Sequence, residues 1–333
     1  MRRRDLIKTF TGLGVVWPLG GTLGAWPIVA QAQQPDRIRR IGMLVGIDDP
    51  DIKAFQQELE GHGWHEGRNI HIDYRLAPAA VGVQALAKEL VATHPDVIFA
   101  LSRPATTALQ KETQTIPIVF TYVIDPIGAG FITSLAHPGG NLTGIMAYEP
   151  SMVGKWLGML KEIAPQTARV ALLGNPKTAV YFDYLLQAAE TSAPSLGITA
   201  VPSRIENDAV DIERVIAAIA NVPNSAIAVL PDSTTAVNTD LIIALAARNR
   251  LPAVYNFKSM VRAGGLMSYG IVAAEHYRQA ALYVDQILHG AKPGDLPVQT
   301  PVKYETALNL KTAKALGLTP PAGVLVAADE VIE

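Results

Sequence analysis

The residues able to do chemistry in this chain are better suited to holding a small molecule than to transforming one. Ser102 and Thr106 flank Pro104 at a predicted helix start, where unpaired backbone N–H groups favour a carboxylate or another anion. Asp125 and Asp232 suit an ammonium group, and Tyr122, Tyr255 and Tyr269 suit the cover of an apolar body. Asn175 joins them by its place at the end of a predicted strand. A plainer role stays open for each, since Asp232-Ser233-Thr234 also has the make-up of an ordinary helix cap.

Patterns for catalysis are thin. His62-Gly63-Trp64-His65-Glu66 holds metal-ligand residue types, but a zinc helix needs histidines at i and i+4, and Gly63 breaks the helix between them. His71 falls in a strand and His94, His137 and His289 at element ends, the places of solvated side chains. Neither a Gly-x-Ser-x-Gly nucleophile elbow nor a Gly-rich phosphate loop occurs. The chain has no cysteine, which excludes thiol catalysis, thiolate metal sites, a disulfide framework and a lipid-anchored cysteine. No metal and no cofactor are expected, and an enzyme is the most distant reading.

The candidate residues owe their grouping to the elements that carry them. Arg39–Val45 is a short apolar run of the kind buried in parallel sheets. A helix from Asp51 to His62 follows, with Ile52, Phe55 and Leu59 on one face. The alternation continues with a strand from Asn69 to Tyr74, a helix from Val83 to Thr93 and a strand from Asp96 to Leu101. A helix from Pro104 to Thr113 and a strand from Ile116 to Phe120 close the first series. A second series starts at Ser151 with a helix whose Met152, Trp156, Leu160 and Ile163 form an apolar stripe. It runs through strands at 169–173, 198–201, 226–230 and 252–255 and helices at 180–193, 209–220 and 236–248. A further helix spans Ala273 to His289, with Tyr277, Ala281, Val284 and Leu288 aligned, before a strand at 304–310 and a short helix at 312–316.

Two successive β-α series predict an α/β fold of two lobes, each a mostly parallel sheet flanked by helices. The expected boundaries are 36–148 plus 271–292 for the N-terminal lobe and 149–270 plus 293–333 for the C-terminal lobe. A chain that returns after two complete lobes builds a hinge of several crossovers, and a hinge between two α/β lobes makes a cleft. Ligands of open α/β sheets bind outside the carboxyl ends of the strands. That rule nominates Ser102, Arg103, Tyr122, Asp125, Asn175, Asp232 to Thr235, Tyr255 and Asn256.

The first 32 residues read as a cleaved export signal. Arg2, Arg3, Arg4 and Lys8 precede a Gly-rich apolar stretch that ends on Ala30-Gln31-Ala32, a small-x-small cleavage pattern. Arg3-Arg4-Asp5-Leu6-Ile7-Lys8 is similar to a twin-arginine motif. Trp17, Pro18, Gly20, Gly21 and Gly24 interrupt the stretch, so no run of about 20 strongly apolar residues is available for a membrane span. The whole chain carries a formal net charge of −2, and loss of this basic segment makes it more acidic, which disfavours a nucleic-acid partner. The remaining roughly 300 residues have ample core, and a periplasmic monomer is expected.

A set of stretches carries a family resemblance. They include Arg40-Ile41-Gly42, Gly67-Arg68-Asn69-Ile70, Ile116-Pro117-Ile118-Val119-Phe120 and Asp125-Pro126-Ile127-Gly128-Ala129-Gly130. Further along come 138–144 (PGGNLTG), 248–253 (RNRLPA), 263–270 (AGGLMSYG) and 309–318 (NLKTAKALGL). In this order and spacing the chain resembles the substrate-binding proteins of ABC transporters, in the branch that includes the tryptophan-binding type. The resemblance implies a type I periplasmic-binding fold that captures an amino acid or related carboxylate by hinge closure and delivers it to an inner-membrane ABC permease. An extracytoplasmic sensor subunit is the alternative on the same fold. Relatives carry a Gly-Thr-Pro or similar small-residue turn after the third strand, whereas this chain has Ser102-Arg103-Pro104. An arginine there suits a second carboxylate or the exclusion of a cationic ligand, and suits solvent equally.

Overall fold

In the computed structural model the residues described are 37–45, 51–77, 82–206 and 209–333. The export segment read at 1–32 lies outside them. The first sheet takes β1 (Arg39–Val45), β2 (Ile70–Leu76), β3 (Val97–Leu101), β4 (Ile118–Val123) and β5 (Leu142–Met146), all parallel, in the order β2-β1-β3-β4-β5. Its helices are α1 (Ile52–Gly61), α2 (Val83–Ala92) and α3 (Arg103–Glu112).

Strand alternation divides the apolar side chains between two faces. Ile41, Met43, Val45, Phe99 and Val119 join the cluster under α1, while Leu44, Ile98, Ala100, Ile118 and Phe120 join the one under α2 and α3. Both faces are covered, as the continuous apolar runs of a parallel sheet require.

The second sheet has seven strands in the order β12-β11-β10-β9-β8-β6-β7. They are β6 (Arg169–Gly174), β7 (Thr199–Arg204), β8 (Ser225–Val229), β9 (Ala253–Tyr255), β10 (Met267–Ile271), β11 (Tyr304–Asn309) and β12 (Glu330–Ile332). All neighbours are parallel except β10 and β11. Between them run α4 (Ser151–Ile163), α5 (Phe182–Ser192), α6 (Ala209–Ala220), α7 (Ser233–Val237), α8 (Thr239–Arg248) and α9 (Lys258–Arg262). After β10 come α10 (Ala273–Leu288), α11 (Leu310–Ala315) and α12 (Ala322–Ala327). Val170, Leu172, Ala228 and Val254 pack under α4 and α5, and Ala171, Leu173, Ile227, Val229 and Tyr255 under α6 and α8.

The apolar stripes of α1, α4 and α10 are buried as their spacing predicts: Phe55, Leu59, Trp156, Leu160, Tyr277 and Val284 are at most 1% exposed. Helix α10 returns to the first sheet, where Tyr277 and Tyr283 share a core with Phe55 and Phe99. The chain therefore passes between the sheets at 147–150, at 272 and at 301–303, all within the compact unit Ile38–Glu333.

One boundary moves. Residues 293–299, expected in the C-terminal lobe, lie along the first sheet. Gln299 bridges Ile145 beside β5, the Thr143 hydroxyl donates to the Leu296 carbonyl at 2.7 Å, and Val298 packs with Phe120. Free edge groups of β5 gain partners this way, which outweighs the local Pro punctuation used to place the boundary. The helix predicted at 236–248 also divides. Asn238 donates its side-chain amide to the Thr234 carbonyl at 2.8 Å and ends α7, and α8 restarts at Thr239.

Strands β5 and β10 escaped the sequence reading because each carries a glycine that weakens a strand signal. The fold requires both. A Cβ on Gly144 would stand 2.0 Å from the Phe120 carbonyl oxygen, and one on Gly270 would stand 1.8 Å from that of Asn256.

Candidate ligand-binding cleft

The carboxyl ends of both parallel sheets open on one cleft of about 370 Å³. The first sheet supplies Ser102, Arg103 and Pro104 after β3, Tyr122 and Ile124 at the end of β4, and Ala147 and Tyr148 after β5. The second sheet supplies Thr178 and Tyr181 after β6, Pro231 to Ser233 after β8, and Asn256 and Phe257 after β9. Ala236, Val237 and Met260 complete the lining. The walls touch where the rings of Tyr122 and Phe257 stand 6.4 Å apart. Such a lining is mostly aromatic and aliphatic with few polar groups, the make-up of a small-molecule site.

The first wall carries backbone strain. Ser102 has φ 94° and ψ 159°, a region almost confined to glycine, and Tyr122 has φ 57°. Ser102 is the N-cap of α3, yet its side chain makes no capping hydrogen bond. Its backbone is held by neighbours instead: its N–H donates to the Thr121 carbonyl at 2.9 Å, and its carbonyl accepts from the Thr106 N–H at 3.1 Å. Arg103, the first residue of the helix, has no hydrogen-bond or ion-pair partner among the described residues and is half-buried. The ring of Tyr122 rests 5.8 Å from that of His276, whose own pKa is lowered by burial.

The second wall is tightly bonded. Asp232 caps α7 with a full capping box: its carboxylate accepts from the N–H groups of Thr234 at 2.6 Å and Thr235 at 3.1 Å. It also accepts from the Thr178 hydroxyl at 3.0 Å and the Asn175 N–H at 3.2 Å. Burial raises the Asp232 pKa from 3.8, and these four donors work against that shift. The Tyr181 hydroxyl donates to the Pro231 carbonyl, and burial pushes its pKa far above the usual tyrosine value. Asn256 is 1% exposed and both side-chain polar atoms lack a partner, while its carbonyl accepts from the Tyr148 hydroxyl at 3.4 Å.

Of the residues nominated from sequence, Ser102, Arg103, Tyr122, Asp232, Ser233 and Asn256 meet in this cleft. The others are elsewhere. Thr106 is fully buried one turn into α3, its hydroxyl donating back to the Ser102 carbonyl at 2.9 Å. Asp125 closes an exposed turn by accepting from the Gly128 N–H at 2.8 Å. Asn175 sits behind the wall, its side-chain amide donating to the Thr234 hydroxyl at 3.1 Å. Tyr255 belongs to the core under α8, because strand alternation turns it to that face and leaves Asn256 and Phe257 for the cleft. Tyr269 stacks on Tyr304 with centroids 5.3 Å apart.

The lining residues missed are Tyr148, Thr178, Tyr181, Phe257 and Met260, whereas Arg103 and Asn256 lie where the rule of strand ends puts them. Alternation along β9 signals Asn256. For Thr178 and Tyr181, brought in by the loop after β6, no sequence pattern did so.

A family model described as ABC transporter substrate binding protein matches residues 46–332. The chain belongs to this family. It is 26% identical over 285 residues to a tyrosine-binding protein of Clostridioides difficile, across 84% of this chain and 81% of that protein. Among solved structures, a conserved domain protein from Vibrio cholerae is 31% identical with a TM-score of 0.79, covering 89% of this chain and 100% of its own. An ABC domain from Streptococcus pneumoniae in complex with L-Trp gives a TM-score of 0.79 at 24% identity, covering 88% of this chain and 99% of that one, a likeness of fold. The two-lobed α/β arrangement is thus the type I periplasmic-binding fold of the family.

Proposed function

We propose that the protein is an exported solute-binding component of an ABC importer, which holds a small carboxylate-bearing solute of the amino-acid kind in the interlobe cleft. The observation that carries this reading is the cleft itself. It stands where both sheets end, mixes four aromatic rings with one guanidinium and one carboxylate, and lies between lobes joined by separate connections at 147–150, 272 and 301–303. Closure on a ligand that touches both walls shifts the open–closed equilibrium by its differential affinity for the two states. An inner-membrane permease would then recognise the paired lobe surfaces. Kinship with a tyrosine-binding protein supports an amino acid or a close relative as solute, and the basic, apolar segment at 1–32 supports export. Family membership supports a binding protein without catalytic chemistry of its own.

The test is a thermal-shift and calorimetry screen on protein purified from the periplasm, then unfolded and refolded to strip carried-over solute. Amino acids, aromatic acids, amides and sugars make up the panel. A ligand at 100 times its dissociation constant adds about 2.7 kcal/mol, a shift of several degrees. Silence across the panel would overturn the proposal.

A further inference from the structure

The polar groups of the cleft differ sharply in what they have left to offer. Asp232 is the carboxylate that lines it, and its oxygens already receive four hydrogen bonds from Asn175, Thr178, Thr234 and Thr235. Three of the four reach Oδ1 and one reaches Oδ2, so most of the acceptor capacity of this carboxylate is already taken by its own protein. An incoming ammonium group would have to compete with these donors to reach it. Tyr181 is likewise spent on the Pro231 carbonyl and Tyr148 on that of Asn256.

The positive side is open. Arg103 is without an ion pair or hydrogen bond among the described residues, and it opens the ten-residue α3, whose first turn receives no side-chain cap. Asn256 brings an amide 1% exposed, with Nδ2 and Oδ1 both unpartnered. A buried amide without partners costs free energy until something in the cleft bonds it. Around these polar groups stand Tyr122, Tyr148, Tyr181 and Phe257.

We infer that the cleft selects a monoanionic carboxylate with an aromatic or similar apolar body and no α-ammonium group, its carboxylate held by Arg103 and its neighbouring polar atoms by Asn256. Arg103 is then the specificity-determining residue. A guanidinium presents its donors as a fork that matches a carboxylate, and the low dielectric of an apolar cleft strengthens the pair. A zwitterionic amino acid would leave its ammonium facing Arg103 and a carboxylate already occupied. The inference rests on the reading of the cleft as a solute site.

Three matched compounds test it by calorimetry on the refolded periplasmic protein: 3-(4-hydroxyphenyl)propanoate, L-tyrosine and tyramine. The acid should bind at least about tenfold more tightly than the amino acid, with tyramine undetectable. Arg103→Gln should weaken the acid at least about tenfold at an unchanged melting temperature, and Arg103→Lys should restore part of the loss. L-tyrosine binding as well as or better than the acid would overturn the inference while leaving a solute-binding protein in place. Unaltered acid binding by Arg103→Gln would overturn it too. Failure of these three together with the whole wider panel would remove both the inference and the proposed function.

Discussion

The two walls of the cleft come from sheets of similar construction, yet they are finished differently. On the second wall every oxygen of Asp232 is engaged, α7 is held by a capping box, and the backbone at Asp232 is ordinary extended chain with φ −144°. On the first wall Ser102 and Tyr122 sit at positive φ, the N-cap side chain makes no cap, and Arg103 has no hydrogen-bond or ion-pair partner among the described residues. Strain and unmatched charge concentrate where structure is over-determined by its surroundings and where a ligand can supply what is missing. The contrast assigns scaffolding to the second wall and charge recognition to the first.

Substitutions can break that comparison, beginning with the foundation of the second wall. Gly270→Ala places a Cβ 1.8 Å from the Asn256 carbonyl oxygen, so β10 must move away from the cleft floor. A loss of about 3 kcal/mol or more is expected in urea denaturation, near the top of the range for overpacking. Asp232→Ala removes a cap and leaves the Thr178 hydroxyl and three N–H groups without their acceptor. It should cost about 2–3 kcal/mol of stability by the same measurement. A value near zero would show that the second wall is not a scaffold.

The first wall should respond in the opposite sense. Ser102→Gly relieves a backbone region that serine rarely adopts, and should raise stability by about 1 kcal/mol. Equal or lower stability would mean that the strain is not borne by that residue.

The smallest effect concerns pH. Burial lowers the His276 pKa from 6.5, so the unfolded chain binds a proton more readily than the folded one. Stability from this group is complete above pH 6.5 and falls as the pH drops below it, with a slope no greater than about 1.4 kcal/mol per pH unit. His276→Gln should flatten that part of the stability–pH curve, and an unchanged curve would exclude His276 as its source.

Much of the fold was legible because burial on both sheet faces forces long apolar runs such as VIFAL at 97–101 and AIAV at 226–229. Helices with a clear stripe were legible for the same reason. Strands β5 and β10 were not, since the glycines that admit a neighbouring carbonyl also erase the pattern of side chains. At the site, the rule of strand ends led to Ser102, Tyr122 and Asp232, and misled at Tyr255, where the pleat turns the ring into the core.

By itself the sequence determined the alternation of elements, the parallel sheets, the family and the end of each sheet at which a ligand would lie. These follow from periodicity and from local turn chemistry, which act over a few residues. Only the tertiary structure decided which polar groups remain available. Whether Asp232 is spent depends in part on donors brought from 54 to 57 residues away by the folding of separate β-α units, and whether Arg103 is paired depends on the acceptors that folding brings near it. Saturation of a hydrogen-bonding group is a property of its neighbours in space, and no local pattern records it.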